Sequence, residues 1–213
     1  MGAERQRLAL LERWLTGWSR SRGLPLPSHV GGGLTVEVGW PDQVRRYLFT
    51  DAGADLRACA AHIHAPFIFV KATVDAAVLR RALPARWSIQ APGYLMTRTG
   101  PMTAAVTLPA RYRVVLSVEH GGYVLRVIDD AGALAATGRI VLAAGTAVFD
   151  KIETMEDYRR RGLASVVMLT LDRLAIQAGV TERLLVATAE GARLYQQLGW
   201  QHLAPFSTAV LAV

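Results

Sequence analysis

The hydrophobic pattern of the first hundred residues predicts one amphipathic helix and two segments rich in turn residues. Apolar side chains recur at three- and four-residue spacing across 8–18, which predicts a helix with one apolar face. Residues 19–33 contain two prolines and a run of three glycines, which predicts a loop. Prolines and glycines return in 91–110 alongside side chains suited to packing. We therefore expect two associated lobes, 1–104 and 105–213, that share a core.

Between those two loops the pattern predicts strands and short helices. Segments 34–40 and 66–71 are rich in β-branched and aromatic residues, as strands are. A short helix is predicted over Pro41–Tyr47. A second helix is predicted over 74–83, ended by Pro84.

The second half of the chain alternates more regularly between strand and helix patterns. Apolar positions change from a period of two to a period of 3.6 at Leu163. The predicted elements, in order, are a hairpin at 112–120 and 123–130, two strands within 138–154, a helix from Leu163 to Gly179, a strand at 184–188, a helix ended by Gly199, and a C-terminal strand. This alternation predicts an α/β or α+β fold, with helices packed on a sheet.

Composition narrows the class of protein. The chain has 213 residues, of which 52% are hydrophobic and 19% charged, so a disordered chain is excluded. The formal net charge is +7, which favours anionic partners such as nucleic acid, a membrane surface or a phosphorylated small molecule. The single cysteine, Cys59, excludes an intramolecular disulfide framework and a cysteine-rich metal site. A reducing, cytoplasmic location is therefore expected.

Neither end of the chain predicts a membrane segment. Charged residues interrupt the first eighteen positions, so no apolar run of signal-peptide length remains. The last twenty residues carry no formal charge, but they include glutamines, His202 and Pro205. We interpret this tail as a buried strand and expect no membrane partner.

The junction at 159–164 has the composition of an anion site. Three arginines and then Gly162 separate a predicted strand from a predicted helix. The first turn of a helix has unpaired backbone N–H groups and a partial positive charge, and a glycine lets an anion approach the backbone. A diphosphate would fit here. By spacing alone the signal is weak, and a basic helix start on a solvated surface is the alternative.

Two motifs resemble those of the GNAT superfamily of acyl-CoA-dependent N-acyltransferases. The segment 152–164, I-E-T-M-E-D-Y-R-R-R-G-L-A, is similar to motif A, R/Q-x-x-G-x-G/A, which follows the fourth strand of that fold. The segment 186–200 resembles motif B, with Ala192, Tyr195 and the pair Gly199–Trp200 at the expected positions. The resemblance covers about residues 105–213. It implies the GNAT fold, a mixed and mostly antiparallel sheet flanked by helices, with an N-terminal lobe that is accessory or a diverged GNAT-like copy.

The resemblance implies acetyl-CoA as cosubstrate and no metal. The backbone at the end of the strand would pair with the pantetheine arm, and backbone amides at the helix start would hold the diphosphate together with Arg159 or Arg160. The end of the next strand would face the gap, and Ala192 would leave room for the thiol. The residues assigned in this way are Thr154, Met155, Arg159, Arg160, Arg161, Gly162, Leu163, Ala164, Ser165, Thr188, Ala189 and Ala192.

Catalysis requires a base for the amine and a proton donor for the departing thiolate. The resemblance implies Tyr195 as the donor, the alternative being a packed tyrosine. Glu153 and Asp150 are the candidate bases, acting through a water. Regular strand alternation places them on opposite faces unless a bulge intervenes. We favour Glu153, which is nearer the end of the strand, although a salt bridge to an arginine is nearly as plausible. Glu119 and His120 are more distant choices.

The resemblance therefore predicts an N-acetyltransferase that transfers an acetyl group from acetyl-CoA to a primary amine by direct attack in a ternary complex. The acceptor, a small molecule or a peptide, is left open, and a monomer or homodimer is expected. The alternative is a non-catalytic acyl-CoA-binding sensor or partner module. Nucleic-acid binding through the net charge is not expected, because the sequence has no recognisable reading helix or aromatic RNA-binding motif. The pair His62 and His64 lacks a third metal ligand nearby.

Overall fold

The chain forms five α-helices and twelve strands within residues 2–211, which a computed structural model describes. The helices are α1 Gly2–Arg20, α2 Ala54–His62, α3 Ala76–Ala82, α4 Leu163–Gln177 and α5 Ala189–Gln197. The strands are β1 Ser28–Val30, β2 Gly33–Trp40, β3 Gln43–Phe49, β4 Ile68–Ala72, β5 Ser88–Ile89, β6 Gly93–Thr99, β7 Tyr112–Glu119, β8 Gly122–Asp129, β9 Leu134–Ala143, β10 Thr146–Thr154, β11 Glu182–Thr188 and β12 Gln201–Leu211.

The strands form one continuous sheet in the order β1-β2-β3-β4-β12-β6-β11-β10-β9-β8-β7, with β5 paired to β12. Within the described residues two neighbouring pairs are parallel, β3 with β4 and β10 with β11, and the others are antiparallel. The predicted class, a mixed and mostly antiparallel sheet flanked by helices, is therefore confirmed.

Helices cover both faces of the sheet. Leu11, Trp14, Leu15 and Trp18 form the apolar stripe of α1, and they pack against Val148, Leu184 and other side chains of the sheet. On the opposite face, α4 covers β8, β9 and β10, and α5 covers β6 and β11. A third cluster joins α2 and α3 to β3, β4 and the end of β12. The periodicity that predicted the first and fourth helices therefore reflects burial of one face of each.

Strand β6 lies before the predicted boundary at residue 104, and it is inserted between β11 and β12. Seven residue pairs join it to β11, from Glu182↔Thr99 to Thr188↔Gly93. The sheet thus runs without interruption from the first hundred residues into the second hundred. The division into lobes 1–104 and 105–213 stays a prediction.

The sheet contains two similar crossovers. In each, two parallel strands are joined by a helix: β3–α2–β4 and β10–α4–β11. The first pair stays together from Arg45↔Ile68 to Phe49↔Ala72, whereas the second pair ends at Val148↔Leu184. Of the two crossovers, therefore, only β10–α4–β11 has parallel strands that separate before they end.

The helix predicted over Pro41–Tyr47 is wrong, because this segment is a turn followed by β3. Trp40 pairs with Gln43, so Pro41 and Asp42 form the tip of a hairpin between β2 and β3. Proline is suited both to the first turn of a helix and to a β-turn, so this signal was ambiguous. The segment forms a strand because it pairs with β2 on one side and with β4 on the other. The sequence also gave no prediction for α2, and it missed the short β1 within the predicted loop.

Candidate active site

A cleft opens where β10 and β11 diverge. Their last paired residues are Val148 and Leu184, so the facing edges of both strands beyond this point are not paired with each other. The resulting cavity has a volume of about 570 Å³. Its walls are the diverging strand ends, the segment that begins α4, and one side of α5; the lining residues are 149–154, 159–160, 162–165, 185–188, 190–191 and 194–195.

The mouth of this cleft is shaped as an anion-binding turn. Arg160 has φ +59° and Gly162, which caps α4, has φ +75°. The first bonded N–H of α4 is that of Val166, which donates to the Gly162 carbonyl, so the preceding helical N–H groups are unpaired at a helix start that is favourable for an anion. A Cβ on Gly162 would have only Val106 Cγ1 within 4 Å, at 3.9 Å. The glycine is therefore required by its backbone angle, and the space beside it is open.

The three arginines of this turn differ in whether they line the cleft. Arg159 and Arg160 line the cleft. Arg161 is not part of the lining, since its guanidinium donates to Tyr112 Oη at 3.0 Å and to the Asp157 carbonyl at 2.7 Å. Two of the three side chains are therefore directed to the cleft, and the third fixes the turn against neighbouring segments.

Of the other residues predicted to bind the cosubstrate, some line the cleft and some do not. Thr154, Leu163, Ala164, Ser165 and Thr188 line the cleft, whereas Met155, Ala189 and Ala192 do not. The Met155 N–H donates to the Ala135 carbonyl at 3.0 Å, on the β9 side of the strand. Ala192 is buried in the core under α5.

Thr188 has a second role at the end of β11. It is the N-cap of α5, and its Oγ1 accepts a hydrogen bond from the Gly191 N–H at 3.2 Å. An N-cap of this kind satisfies one of the unpaired donors of the first helical turn. The residue therefore fixes the start of the helix that carries Tyr195.

Tyr195 stands on α5 with its side chain in the cleft wall. It is buried, and its ring lies against the backbone of Gly191, where an added Cβ would come within 3.2 Å of Cε2. Burial raises the pKa of Tyr195 to about 12, and the nearby Asp150 carboxylate adds to the effect. The hydroxyl therefore keeps its proton at neutral pH and is available as a hydrogen-bond or proton donor.

A bulge in β10 brings the two candidate carboxylates onto one face. Asp150 pairs with Arg139 and Glu153 with Thr137, so two residues of β10 oppose one of β9, and Lys151 has φ +49°. The two partners are two residues apart in β9, so Asp150 and Glu153 point to the same side of the sheet. This is the side that α1 covers, since Val148 precedes Asp150 by two residues and packs with α1.

The two carboxylates differ in their partners. Asp150 Oδ2 accepts hydrogen bonds from Ser21 Oγ at 2.7 Å and from the Arg22 guanidinium. Glu153 is exposed, and within residues 2–211 it has no ion pair, so the predicted alternative of a salt bridge to an arginine is not seen. Ser21 and Arg22 escaped the sequence reasoning, because no local pattern links them to a strand more than a hundred positions away.

A second cavity of about 740 Å³ lies between α2 and β3, away from these residues. His62, His64 and Cys59 line it. In the part of the chain that the structure describes, no three His, Cys, Asp or Glu side chains are grouped as a metal site would require. None of the helices described combines the length and apolar character needed to cross a membrane.

Solved structures share this architecture. A GCN5-related N-acetyltransferase from Kribbella flavida aligns over 98% of this chain and 95% of its own, with TM-score 0.66 and 14% identity. A putative acetyltransferase of the GNAT family from Novosphingobium aromaticivorans aligns over 94% and 98%, with TM-score 0.59 and 18% identity. A tandem GNAT protein from the clavulanic acid biosynthesis pathway covers 68% of this chain and 65% of its own, with TM-score 0.54 and 15% identity. At these identities the likeness concerns the fold.

Sequence comparison identifies the family. No curated protein sequence matches the chain. The sequence model of the Acetyltransferase (GNAT) family matches residues 89–200, more than half of the chain, and this span contains both motifs and the cleft between β10 and β11. The resemblance drawn from the motifs is thereby confirmed: the chain belongs to the GNAT family of acetyltransferases, whose members generally use an acyl-CoA as cosubstrate.

Proposed function

We propose that the protein transfers an acetyl group from acetyl-CoA to a primary amine, by direct attack of the amine on the thioester in a ternary complex. The observation that carries this proposal is the cleft itself. An anion-binding turn lies at its mouth, and a buried, protonated tyrosine lies in its wall. The turn would bind the diphosphate of acetyl-CoA, and the tyrosine would donate to the thiolate that leaves.

Several features of the cleft support acetyl-CoA binding. The turn with Gly162 at the start of α4 offers backbone N–H groups to the diphosphate, with Arg159 and Arg160 beside it. The facing edges of β10 and β11 beyond Val148 and Leu184 retain backbone groups that an extended pantetheine amide would match.

The residues around the cleft support separate roles for Glu153 as the base and Tyr195 as the proton donor. Glu153 takes a proton from the acceptor ammonium through a water, which leaves a neutral amine. The amine nitrogen forms a bond to the thioester carbonyl carbon and loses a second proton to solvent, while the carbon–sulfur bond breaks. Tyr195 donates its proton or a hydrogen bond to the departing thiolate, and solvent returns any proton that it gives up. Asp150 is the weaker candidate base, because its carboxylate is already engaged by Ser21 Oγ and the Arg22 guanidinium and is less available to a water.

We infer that residues 1–104 are a diverged GNAT-like lobe without a cosubstrate site of its own. The crossover β3–α2–β4 repeats the order of β10–α4–β11, and a tandem GNAT protein is among the similar structures. The first crossover lacks the features that a diphosphate needs. Its strands stay paired, and Asp51 and Asp55 flank the start of its helix where motif A has arginines.

The test is turnover of acetyl-CoA with a panel of amines, followed through release of free thiol. We expect thiol release that depends on the amine and yields a stoichiometric N-acetyl product. Calorimetry with acetyl-CoA alone is the companion measurement. Tight binding without turnover of any amine would favour the non-catalytic binding module, whereas absence of binding would place the cosubstrate site elsewhere.

A further inference from the structure

Three cationic side chains meet on the face of the sheet that α1 covers. The guanidinium carbon of Arg46 lies 3.6 Å from the ring centroid of Trp18, and that of Arg22 lies 4.4 Å from a ring centroid of the same residue. Lys71 Nζ donates to Thr208 Oγ1 at 2.8 Å. Lys71 of β4 pairs with Leu48, which is two residues after Arg46 in β3, so Arg46 and Lys71 are diagonal neighbours on the same face. We call Arg22, Arg46 and Lys71 the cationic cluster.

The cationic cluster holds more positive charge than its neighbours neutralise. Arg22 is paired with Asp150. Within residues 2–211, neither Arg46 nor Lys71 has a carboxylate at salt-bridge distance, and Arg46 has only the side-chain amide oxygen of Gln43 as its hydrogen-bond acceptor. Burial lowers the pKa of both, that of Arg46 to about 9, and neighbouring cations add to this. A buried cation without a counter-charge is unfavourable, so an anion placed here is stabilised by the two guanidinium groups and favours the protonated form of Lys71.

The cationic cluster adjoins the cleft. Asp150 is part of the cleft wall, accepts a hydrogen bond from Arg22, and acts electrostatically on both Arg46 and Tyr195. Through Arg22, the cluster therefore contacts Asp150, one residue of the wall at which the thioester would react. Its buried members are not fully sealed, because Arg46 retains 7% and Lys71 retains 9% of its surface. The three side chains do not themselves line the cleft, so the acceptor has to extend past Asp150 to meet them.

The cationic cluster is also on the face that the acceptor would use. The bulge in β10 directs Asp150 and Glu153 to this same side. An acceptor whose nitrogen lies near Glu153 would therefore extend toward the cluster rather than toward the anion-binding turn at the start of α4.

We propose that the cationic cluster binds a carboxylate of the acceptor, so that the substrate is an amino acid or another amine that carries a carboxylate. This inference rests on the proposed acetyl transfer. A carboxylate is planar and accepts two parallel hydrogen bonds from a guanidinium, which matches the fork of donors that an arginine offers. Held in this way, the acceptor presents its amine to Glu153 and to the thioester carbon.

The first test compares α- and ω-amino acids with their carboxamides as acceptors. The carboxamides keep the amine and the carbon skeleton and remove the carboxylate charge; because this also makes an α-amine less basic, kcat/KM is calculated on the concentration of free amine. We expect kcat/KM to be higher for at least one amino acid than for its carboxamide by about tenfold or more, as charge-assisted hydrogen bonds require. Equal use of acids and carboxamides would overturn the inference while leaving the acetyl transfer intact. Preference for a phosphorylated amine over every carboxylated amine would also overturn it.

Substitutions then locate the preference. Arg46→Met and Lys71→Met should bring the acid-to-carboxamide ratio close to one. Arg45→Met is the matched control, because Arg45 is the neighbouring residue of β3, points to the other face and pairs with Glu37. Thermal unfolding verifies each variant, and replacing a buried cation without a counter-charge by methionine is compatible with folding. An unchanged ratio in folded Arg46→Met and Lys71→Met overturns the proposal; if either variant unfolds, the ratio in the wild-type protein decides.

A binding measurement separates this inference from the proposed function. N-acetyl amino acids and N-acetyl amino acid amides are titrated into the protein in the presence of CoA, without any turnover. Tighter binding of the acids that is lost in Arg46→Met supports the cationic cluster even if no amine is acetylated. Equal binding of acids and amides, alongside measurable acetyl transfer, would retain the function and reject the cluster.

Discussion

Arg22 and Asp150 form an ion pair that joins the N-terminal segment to the wall of the cleft. Arg22 lies two residues after the end of α1, and Asp150 is a lining residue on β10; their side chains retain 11% and 14% of their surface. Ser21 donates to the same carboxylate oxygen. The first two dozen residues therefore help to shape the cleft, although the motifs that identify the family lie in the last sixty.

The first prediction concerns truncation. A fragment 103–213 lacks β6, the strand between β11 and β12, and a fragment 89–213 restores β6 but lacks α1, which covers Val148 and Leu184. We expect both to be less soluble than the full chain and to unfold without a sharp transition, because each exposes part of the apolar core. Thermal unfolding monitored by circular dichroism, with the full chain as control, checks this. A monomeric, cooperatively unfolding and fully active 103–213 would show that the N-terminal lobe is not integral.

The second prediction concerns the diphosphate site. Gly162→Asp places a negative charge at the open mouth of the cleft, and acetyl-CoA affinity should fall about a hundredfold or more, equivalent to about 2.7 kcal/mol. Gly145→Asp is the matched control, since Gly145 has φ +76° against +75° for Gly162 and also has open space beside it. Both variants carry similar backbone strain and the same charge. Calorimetry should show normal affinity in the control; equal affinities in the two folded variants would refute the assigned site.

The third prediction separates catalysis from binding. Tyr195→Phe removes one hydroxyl and retains the ring that packs against Gly191. We expect kcat to fall at least tenfold, within the range typical of a lost general acid, and acetyl-CoA affinity to stay within about a few-fold. Steady-state kinetics and calorimetry measure the two effects.

The raised pKa of Tyr195 adds a pH dependence. Since that pKa is about 12, the hydroxyl stays protonated well above neutral pH. Deprotonation of Tyr195 should therefore cause no loss of kcat between pH 7 and pH 10. If the chemical step is rate-limiting and kcat is unchanged in Tyr195→Phe, then Tyr195 has a packing role and no role in catalysis.

The fourth prediction distinguishes the two carboxylates. Glu153→Gln should lower kcat about tenfold or more at neutral pH without a change in thermal stability, because the side chain is exposed and serves only as a base. Asp150→Asn should instead destabilise the fold by about 3 kcal/mol, because it leaves Arg22 with little compensation for its charge. Chemical denaturation and kinetics on both variants provide the comparison. A stable, inactive Asp150→Asn together with a fully active Glu153→Gln would reverse the two roles.

The sequence by itself determined the features that are local or periodic. The apolar spacing of α1 and α4, the hairpin of β7 and β8, and the motif around Gly162 follow from neighbouring residues, and the structure places them as expected. The positive φ of Gly162 and the N-cap of α4 at that position are local properties of the same kind. Such signals depend on backbone and side-chain preferences within one element, and a linear pattern contains them.

Only the tertiary structure decided which segments pair and which charges meet. The segment after Pro41 is a strand because β2 and β4 pair with it on either side. The bulge at Lys151 places the side chains of Asp150 and Glu153 on the same face of the sheet, where regular alternation would have placed them on opposite faces. The contacts of Arg22 with Asp150 and of Lys71 with Thr208 join residues 128 and 137 positions apart. Pairing across such distances is selected by the burial of whole faces of a sheet, and no local run of residues encodes it.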